Sequence, residues 1–379
     1  MRLQLASVLV ALCVVTPGRA GADGTLSARG VYYKERATRV MQPMLDGMFD
    51  VGSRGVATAH FLVDAITSAS ASSGAENAEP FTENRYEGGF GYTHELGSVI
   101  TEHIEGLRVG GEAKYSKESD YTSVYVGART EVDLAEKNTT LGLGVGLSRD
   151  EISAASAQGP SMPTLECSPG QSFTACSLTV KALFASGSQI LSKNAVLGVT
   201  YDVSKSDGYQ SNPYRMALAE DGIAPERHPT TRTRTAVAGS LRYYIPRSQT
   251  TLIGSYRFYR DNWRVFAHTP EVRIYQQVGR VADATVRYRY YVQDRAFFYR
   301  DRYTTIDRGT NPFLSDDAKL DDYSTHTFEA KLGILGEAFG AGGHWSGARF
   351  EGILSYVAQG NRFGNAIIAH VALTVPFDY

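Results

Sequence analysis

The sequence is short of cysteine and tryptophan and has no surplus of charge of either sign. Its 379 residues hold 3 Cys and 2 Trp, and 38 Lys plus Arg stand against 40 Asp plus Glu, a formal net charge of -2. Three cysteines cannot staple a chain of this length, so a disulfide scaffold is excluded. Balanced charge argues against a nucleic-acid partner, which calls for clustered Lys and Arg. Long apolar runs are also missing. The one long apolar run free of charge, Leu3 to Val15, lies in the first 22 residues and mean hydropathy is -0.24, so no later segment reads as a spanning helix of about 20 apolar residues. With 42% hydrophobic residues the chain is too apolar to be disordered. A transmembrane β-barrel survives all these exclusions, because strands that alternate apolar and polar residues average to a soluble-looking hydropathy.

Arg2, the apolar stretch, then Pro17-Gly18 and Ala20-Gly21-Ala22 have the layout of a secretory signal peptide cleaved after Ala22. Residues 1–22 are thus expected to be the signal and 23–379 one domain. Export leaves Cys167 and Cys176, which bracket a Ser-Pro-Gly-rich segment and read as one local disulfide.

From about residue 40 onward, apolar and polar residues alternate with period 2. Ala282, Ala284, Val286, Tyr288, Tyr290 and Val292 share one face against Asp283, Thr285, Arg287, Arg289, Tyr291 and Gln293. Phe328, Ala330, Leu332 and Ile334 oppose Thr327, Glu329 and Lys331 in the same way. The runs are about 10 to 14 residues long, where globular strands have a mode of about 5 to 6 and a tilted strand crosses a bilayer in about 9 to 11. Tight connections at 52–55, 135–138 and 246–249 are expected to alternate with long polar ones near 151–174, 207–230 and 295–322. Outer-membrane barrels have this asymmetry.

At the end of the chain Val371, Leu373, Val375, Phe377 and Tyr379 share one parity. Such a strand suits barrel closure, and its terminal aromatic is similar to the signal read by the outer-membrane assembly machinery. Fifteen long segments can be counted from residue 40. An outward strand within 29–36 makes sixteen, the even number expected of single-chain bacterial barrels. In the competing account residues 23–39 thread the lumen and the barrel has fourteen strands. The expected class is therefore an all-β, antiparallel, up-and-down transmembrane barrel of about 16 strands.

The run Val31-Tyr32-Tyr33-Lys34-Glu35-Arg36-Ala37-Thr38-Arg39-Val40, then Gln42-Pro43 and Val63-Asp64-Ala65-Ile66-Thr67-Ser68-Ala69-Ser70-Ala71-Ser72, resembles a bacterial family of exported proteins. That family is known only as a domain of unknown function predicted to form outer-membrane barrels. The resemblance is strongest over 31–75, and Tyr256 to Asp261 and Tyr288 to Tyr291 fit it. It implies fold and location, and no activity.

Alternation places Arg242, Arg257, Glu271, Arg273, Asp283, Arg287, Arg289, Glu329, Lys331, Arg349 and Glu351 on the lumenal parity. Either these charges line a diffusion pore, or they knit a ladder of ion pairs that stiffens the wall. His60 and Asp64 share a face but stand about 13 Å apart by strand rise, too far to bond. His268 and His326 fall on the outward parity and His370 on the inward one. No nucleophile is singled out, so an enzyme is not expected, nor a cofactor. Gly142-Leu143-Gly144-Val145-Gly146 alternates within a strand and opens no helix, unlike a phosphate loop. Asp316-Asp317 and Asp321-Asp322, near Asp301 and Asp307, read as a solvated acidic loop or as oxygen ligands for Ca²⁺. The expected role is a porin-like channel in contact with outer-membrane lipids and the barrel assembly machinery. The alternative is a closed-lumen structural or surface-interaction barrel that meets an unknown ligand through its loops.

Overall fold

The computed structural model describes residues 23–36, 38–68, 81–97, 104–154, 164–168, 170–213 and 215–377; the expected signal segment 1–22, the low-complexity run after Ser68 and Tyr379 lie outside them. Alternation has produced what it demands, one closed antiparallel barrel of sixteen strands in sequential order. The wall begins with β1 (Gly24–Lys34), β2 (Thr38–Val51), β3 (Gly55–Ser68), β4 (Phe81–Glu95), β5 (Ile104–Lys117), β6 (Tyr121–Leu134) and β7 (Thr139–Ser153). A hairpin, β8 (Leu165–Ser168) and β9 (Gln171–Phe173), precedes wall strands β10 (Ala175–Ser192) and β11 (Ala195–Gly208). A second hairpin, β12 (Met216–Ala219) and β13 (Gly222–Pro225), precedes β14 (Thr231–Ile245), β15 (Thr250–Asp261), β16 (Phe266–Val278) and β17 (Ala282–Gln293). The last wall strands are β18 (Tyr323–Leu335), β19 (Arg349–Gln359) and β20 (Ala366–Phe377).

The first strand settles the count. Residues 24–34 pair on one side with β2 and on the other with β20, Gly24 opposite Phe377 and Lys34 opposite Ile367. They close the wall instead of threading it, which removes the fourteen-strand account. At this seam the rings of Phe49 and Phe377 lie 5.9 Å apart.

Registers carry one parity around the whole circle, and exposure shows which face is which. Val286, Phe328, Leu354 and Val371 are 54%, 53%, 59% and 66% exposed, while Asp283, Thr285, Thr327 and Ser355 on the opposite parity are at most 9% exposed. A water-soluble fold does the reverse. The apolar residues therefore form an outer belt and the polar ones the inner face.

Connections depart from strict long and short alternation. The loops 154–174, 209–230 and 294–322 all leave one rim, but that rim also holds short links at 35–37, 118–120, 262–265 and 360–365. The opposite rim has the tight turns at 52–54, 135–138 and 246–249 together with a longer one at 336–348 that contains two 3₁₀ turns. Short links on the crowded rim leave space for the long loops to fold over the mouth. In the 135–138 turn Ala135, Glu136 and Lys137 all adopt positive φ, 55°, 56° and 61°. Such strain needs support. Glu105 Oε1 supplies it, accepting the Glu136 amide at 2.9 Å.

Conventional hydrophobic cores sit in the loops at the long-loop rim. One gathers Trp263, Val265, Ala296, Phe298, Tyr299 and Leu320, and another Ala217, Ala219, Ala224, Tyr303 and Leu314. A third, Ile152, Leu165, Cys176 and Tyr209, seats the β8–β9 hairpin on the wall. Cys167 and Cys176 are disulfide-bonded, Cα atoms 5.3 Å apart, as the sequence led one to expect.

Candidate functional site

All eleven lumen charges named from the sequence share the inward parity, and eight of them form two networks. Glu271 pairs with Arg273 at 2.7 Å and Arg287 at 3.7 Å, and Arg287 with Glu329 at 2.5 Å. Arg349 pairs with Asp283 at 2.5 Å and Glu351 at 2.9 Å, and Lys331 with Glu351 at 2.5 Å. Arg242, Arg257 and Arg289 join neither. Arg289 lies opposite Glu271 in register, yet that carboxylate turns to Arg273 and Arg287. Arg257 instead lies with its guanidinium 5.7 Å from the Tyr259 ring.

A second charged wall, spread over β2 to β7, was absent from the sequence reading apart from His60 and Asp64. Its parity was legible in principle: Arg108, Glu112, Glu131 and Asp133 alternate with Val109, Ala113 and Val132 just as the later segments do. Arg29 of β1 and His60 Nδ1 both meet Asp46, at 2.5 and 2.7 Å, and His60 Nε2 stands 3.7 Å from Glu87. Asp64 pairs with Arg85 at 2.6 Å, so His60 finds its acid across the sheet and never meets Asp64. Arg108 holds Glu131 at 3.0 Å and Asp133 at 2.6 Å, and Asp150 accepts hydroxyls from Tyr121 and Ser123, each at 2.6 Å. Asp50, Glu83 and Glu95 face the same way.

This second wall is stripped of bulk. Gly89, Gly91, Gly110, Gly127, Gly142, Gly144 and Gly146 all fall on the inward parity. A Cβ on Gly127 would sit 2.5 Å from Tyr125 Oη, and one on Gly146 would sit 2.9 Å from the same atom. The glycines thus let Tyr125 lie flat on the wall, where Lys114 Nζ stands 5.5 Å from its ring centre. The result is a groove of about 420 Å³ bordered by Gly91, Gly110, Tyr125, Gly144, Phe184 and Ser186.

At the mouth the two long loops interlock. Arg227 donates to the Ile306 and Asn311 carbonyls at 2.8 and 2.9 Å, and Ser315 Oγ donates to buried Glu226 at 2.5 Å. Arg215 binds Asp317, Arg362 binds Asp316 at 3.5 Å, and Arg308 reaches Glu166 of the β8–β9 hairpin. A cap therefore runs from the β7–β10 connection to the β19–β20 turn, about half the circumference. Between cap and hairpin lies a cavity of about 510 Å³ lined by Glu166, Tyr209, Glu226, His228, Arg308 and Phe313.

The acidic loop is solvated only in part: Asp301, Asp307 and Asp322 are exposed, whereas Asp316 is buried. Asp316 is 1% exposed, so it is not solvated, and burial raises its carboxyl above the ordinary range while Arg362 pulls the other way. Asp321 and Asp322 both face Arg295, Asp301 accepts the Tyr299 hydroxyl at 2.7 Å, and Asp307 accepts the Thr310 amide at 3.0 Å. The acids are engaged separately, apart from the pair on Arg295, and among the described residues the six form no group close enough to share an ion. Among the described residues the acids close enough to share an ion are Glu83, Glu118 and Asp120, at another part of the rim. There Glu118 is raised to about 7, first by burial and next by Glu83, with Arg85 opposing. His268 and His326 do face outward, hydrogen-bonded to Tyr256 at 2.5 Å and Tyr288 at 2.8 Å, and His370 faces inward opposite Ile353.

Several solved structures are similar to this chain. OccK2 of Pseudomonas aeruginosa, in complex with glucuronate, is 11% identical, with 94% of this chain and 98% of that one covered and a TM-score of 0.43. The BenF-like porin of Pseudomonas fluorescens Pf-5 is 9% identical over 94% of this chain and 99% of its own, with a TM-score of 0.47. The outer membrane protein OprD of Pseudomonas aeruginosa is 9% identical over 94% of each chain, with a TM-score of 0.45. No curated protein matches the sequence. Residues 75–351 match the family described as Protein of unknown function (DUF3570), a span that starts where the stretch expected to carry the resemblance, 31–75, ends. With most of its length inside that match, the chain belongs to the DUF3570 family.

Proposed function

We propose that the protein is an outer-membrane channel through which small hydrophilic solutes diffuse. The observation that carries this reading is the inverted wall: an apolar belt around the outside of a closed sixteen-strand barrel and ionised side chains on its inside. The belt needs a lipid solvent, since exposed apolar surface this extensive does not persist in water. The inner charges need water, and sixteen strands enclose enough room for it. Export through a signal cleaved after Ala22, and insertion guided by Val371, Leu373, Val375, Phe377 and Tyr379, fit the same account.

Purified protein reconstituted in a planar bilayer is expected to give stepwise conductance. A silent bilayer, with the protein shown to be inserted, would overturn the channel. The second reading would then stand, a structural barrel acting through its loops, favoured by the folded cap with its own hydrophobic cores.

A further inference from the structure

We infer that the lumen is charge-separated across its width, and that the channel favours solutes carrying both a positive and a negative group, such as amino acids and short peptides, over ions of one sign. This rests on the channel reading above and names its substrate class.

The argument is a census by wall. Among the described residues, the inward parity of β2 to β7 presents ten carboxylates, Asp46, Glu87 and Glu112 among them, against four cations, Arg85, Arg108, Lys114 and Arg129. Counting Arg29 of β1 with this side makes it ten against five. The inward parity of β14 to β19 presents nine cations against five carboxylates. Between the two walls β10 and β11 contribute one inward charge, Asp202, and β20 contributes none.

Position completes the case. In barrel order β2 to β7 occupy places two to seven, and β14 to β19 places ten to fifteen. The centres of the two groups are eight places apart in a ring of sixteen, which is diametrically opposite. A random scatter of the same charges would have no such axis. The lumen as a whole is close to neutral, so it has little reason to reject either ion sign. Across its width, however, it carries a field that low-dielectric walls concentrate. A molecule with separated opposite charges can align with that field and interact with both walls at once. A single ion is drawn to one wall only and leaves the attraction of the other unused.

The pairing pattern exposes the field to solute. Arg257 and Arg289 of the cationic wall have no carboxylate partner among the described residues, so their charge is not spent on a neighbour. On the acidic wall Glu112, beside the glycine-lined groove, is held only loosely, by Lys114 at 3.6 Å and the Tyr125 hydroxyl at 3.3 Å.

Two measurements on the full-length protein in bilayers and liposomes test this. In a KCl gradient the wild type is expected to show a reversal potential near zero. Arg257→Gln with Arg289→Gln is expected to move it toward cation selectivity, and Glu112→Gln with Glu131→Gln toward anion selectivity. In liposome swelling, the amino acid glycine is expected to enter several-fold faster than its uncharged isomer glycolamide, with the difference shrinking in both double variants and at high salt. A conducting wild type that strongly prefers one ion sign, wall variants that shift the same way, or equal entry of the two isomers would each overturn the inference while leaving the channel intact. A wild type that does not conduct overturns the channel reading and the inference with it. Unheated gel mobility of each variant checks that the barrel has formed.

Discussion

At the scale of single residues, Glu118 shows how the rim couples charge to order. Its carboxyl is raised to about 7 against an ordinary 4.5, so the folded turn holds a proton that the unfolded turn would release. Stability from this group is complete below the ordinary carboxyl range and is lost as pH climbs through about 7. The Glu118 amide donates to the Tyr121 carbonyl at 2.7 Å, which provides a readout. Hydrogen exchange at residues 118–121, corrected for the intrinsic rate, is expected to be slower at pH 5 than at pH 8. Glu118→Gln should flatten that dependence, and an unchanged pH profile in the variant would show that Glu118 is not the group responsible. The sequence showed Asp120 two residues away but not the rest, because Glu83 is brought to Glu118 by the pairing of β4 with β5 and not by spacing along the chain.

At the scale of elements, wall and cap differ in how they are encoded. Wall strands write themselves in period 2, so the reading from residue 40 onward located fifteen of them close to their observed ranges. Even β1, which mixes Gly24, Ser27 and Gly30 with aromatics, was reached by a parity argument. The cap follows no period. Ala217, Tyr303 and Leu314 become core neighbours through loop-to-loop contacts, such as the isolated bridges Ala219 to Tyr303 and Arg227 to Leu314, that no local pattern announces. A run of aspartates accordingly read as solvated when one of its members is sealed under Arg362. Removing that arginine leaves a buried carboxylate without its cation, a change that costs about 3 kcal/mol. Arg362→Ala is expected to make the 294–322 segment sensitive to limited proteolysis while barrel mobility on a gel stays unchanged. Adding Asp316→Asn should restore resistance, since the stranded charge is gone; continued sensitivity in the double variant would mean that Arg362 acts through contacts other than this ion pair.

At the scale of the whole molecule, the inverted distribution of polarity dictates handling as well as location. A closed wall has every strand paired on both sides, so it resists detergent until heated. Unheated protein is expected to run differently from boiled protein on a denaturing gel and to fractionate with outer membranes. Identical mobility together with recovery in the periplasm would remove the barrel from the membrane. The charge census belongs to this scale too. Lumenal residues could be named one by one from the sequence, but the opposition of two walls emerges only when sixteen strands are arranged in a ring.

The seam between β1 and β20 has a kinetic meaning. Fifteen of the sixteen wall contacts join successive wall strands, each closing a segment far shorter than the chain, whereas the last joins Gly24 to Phe377, nearly the full described length apart. Until it forms, every intermediate carries two open edges, each able to pair with a foreign strand. Closure is then the step at which a nascent wall stops being adhesive and becomes a finished object, and the tempo of biogenesis rests on how long that single pairing takes to be found.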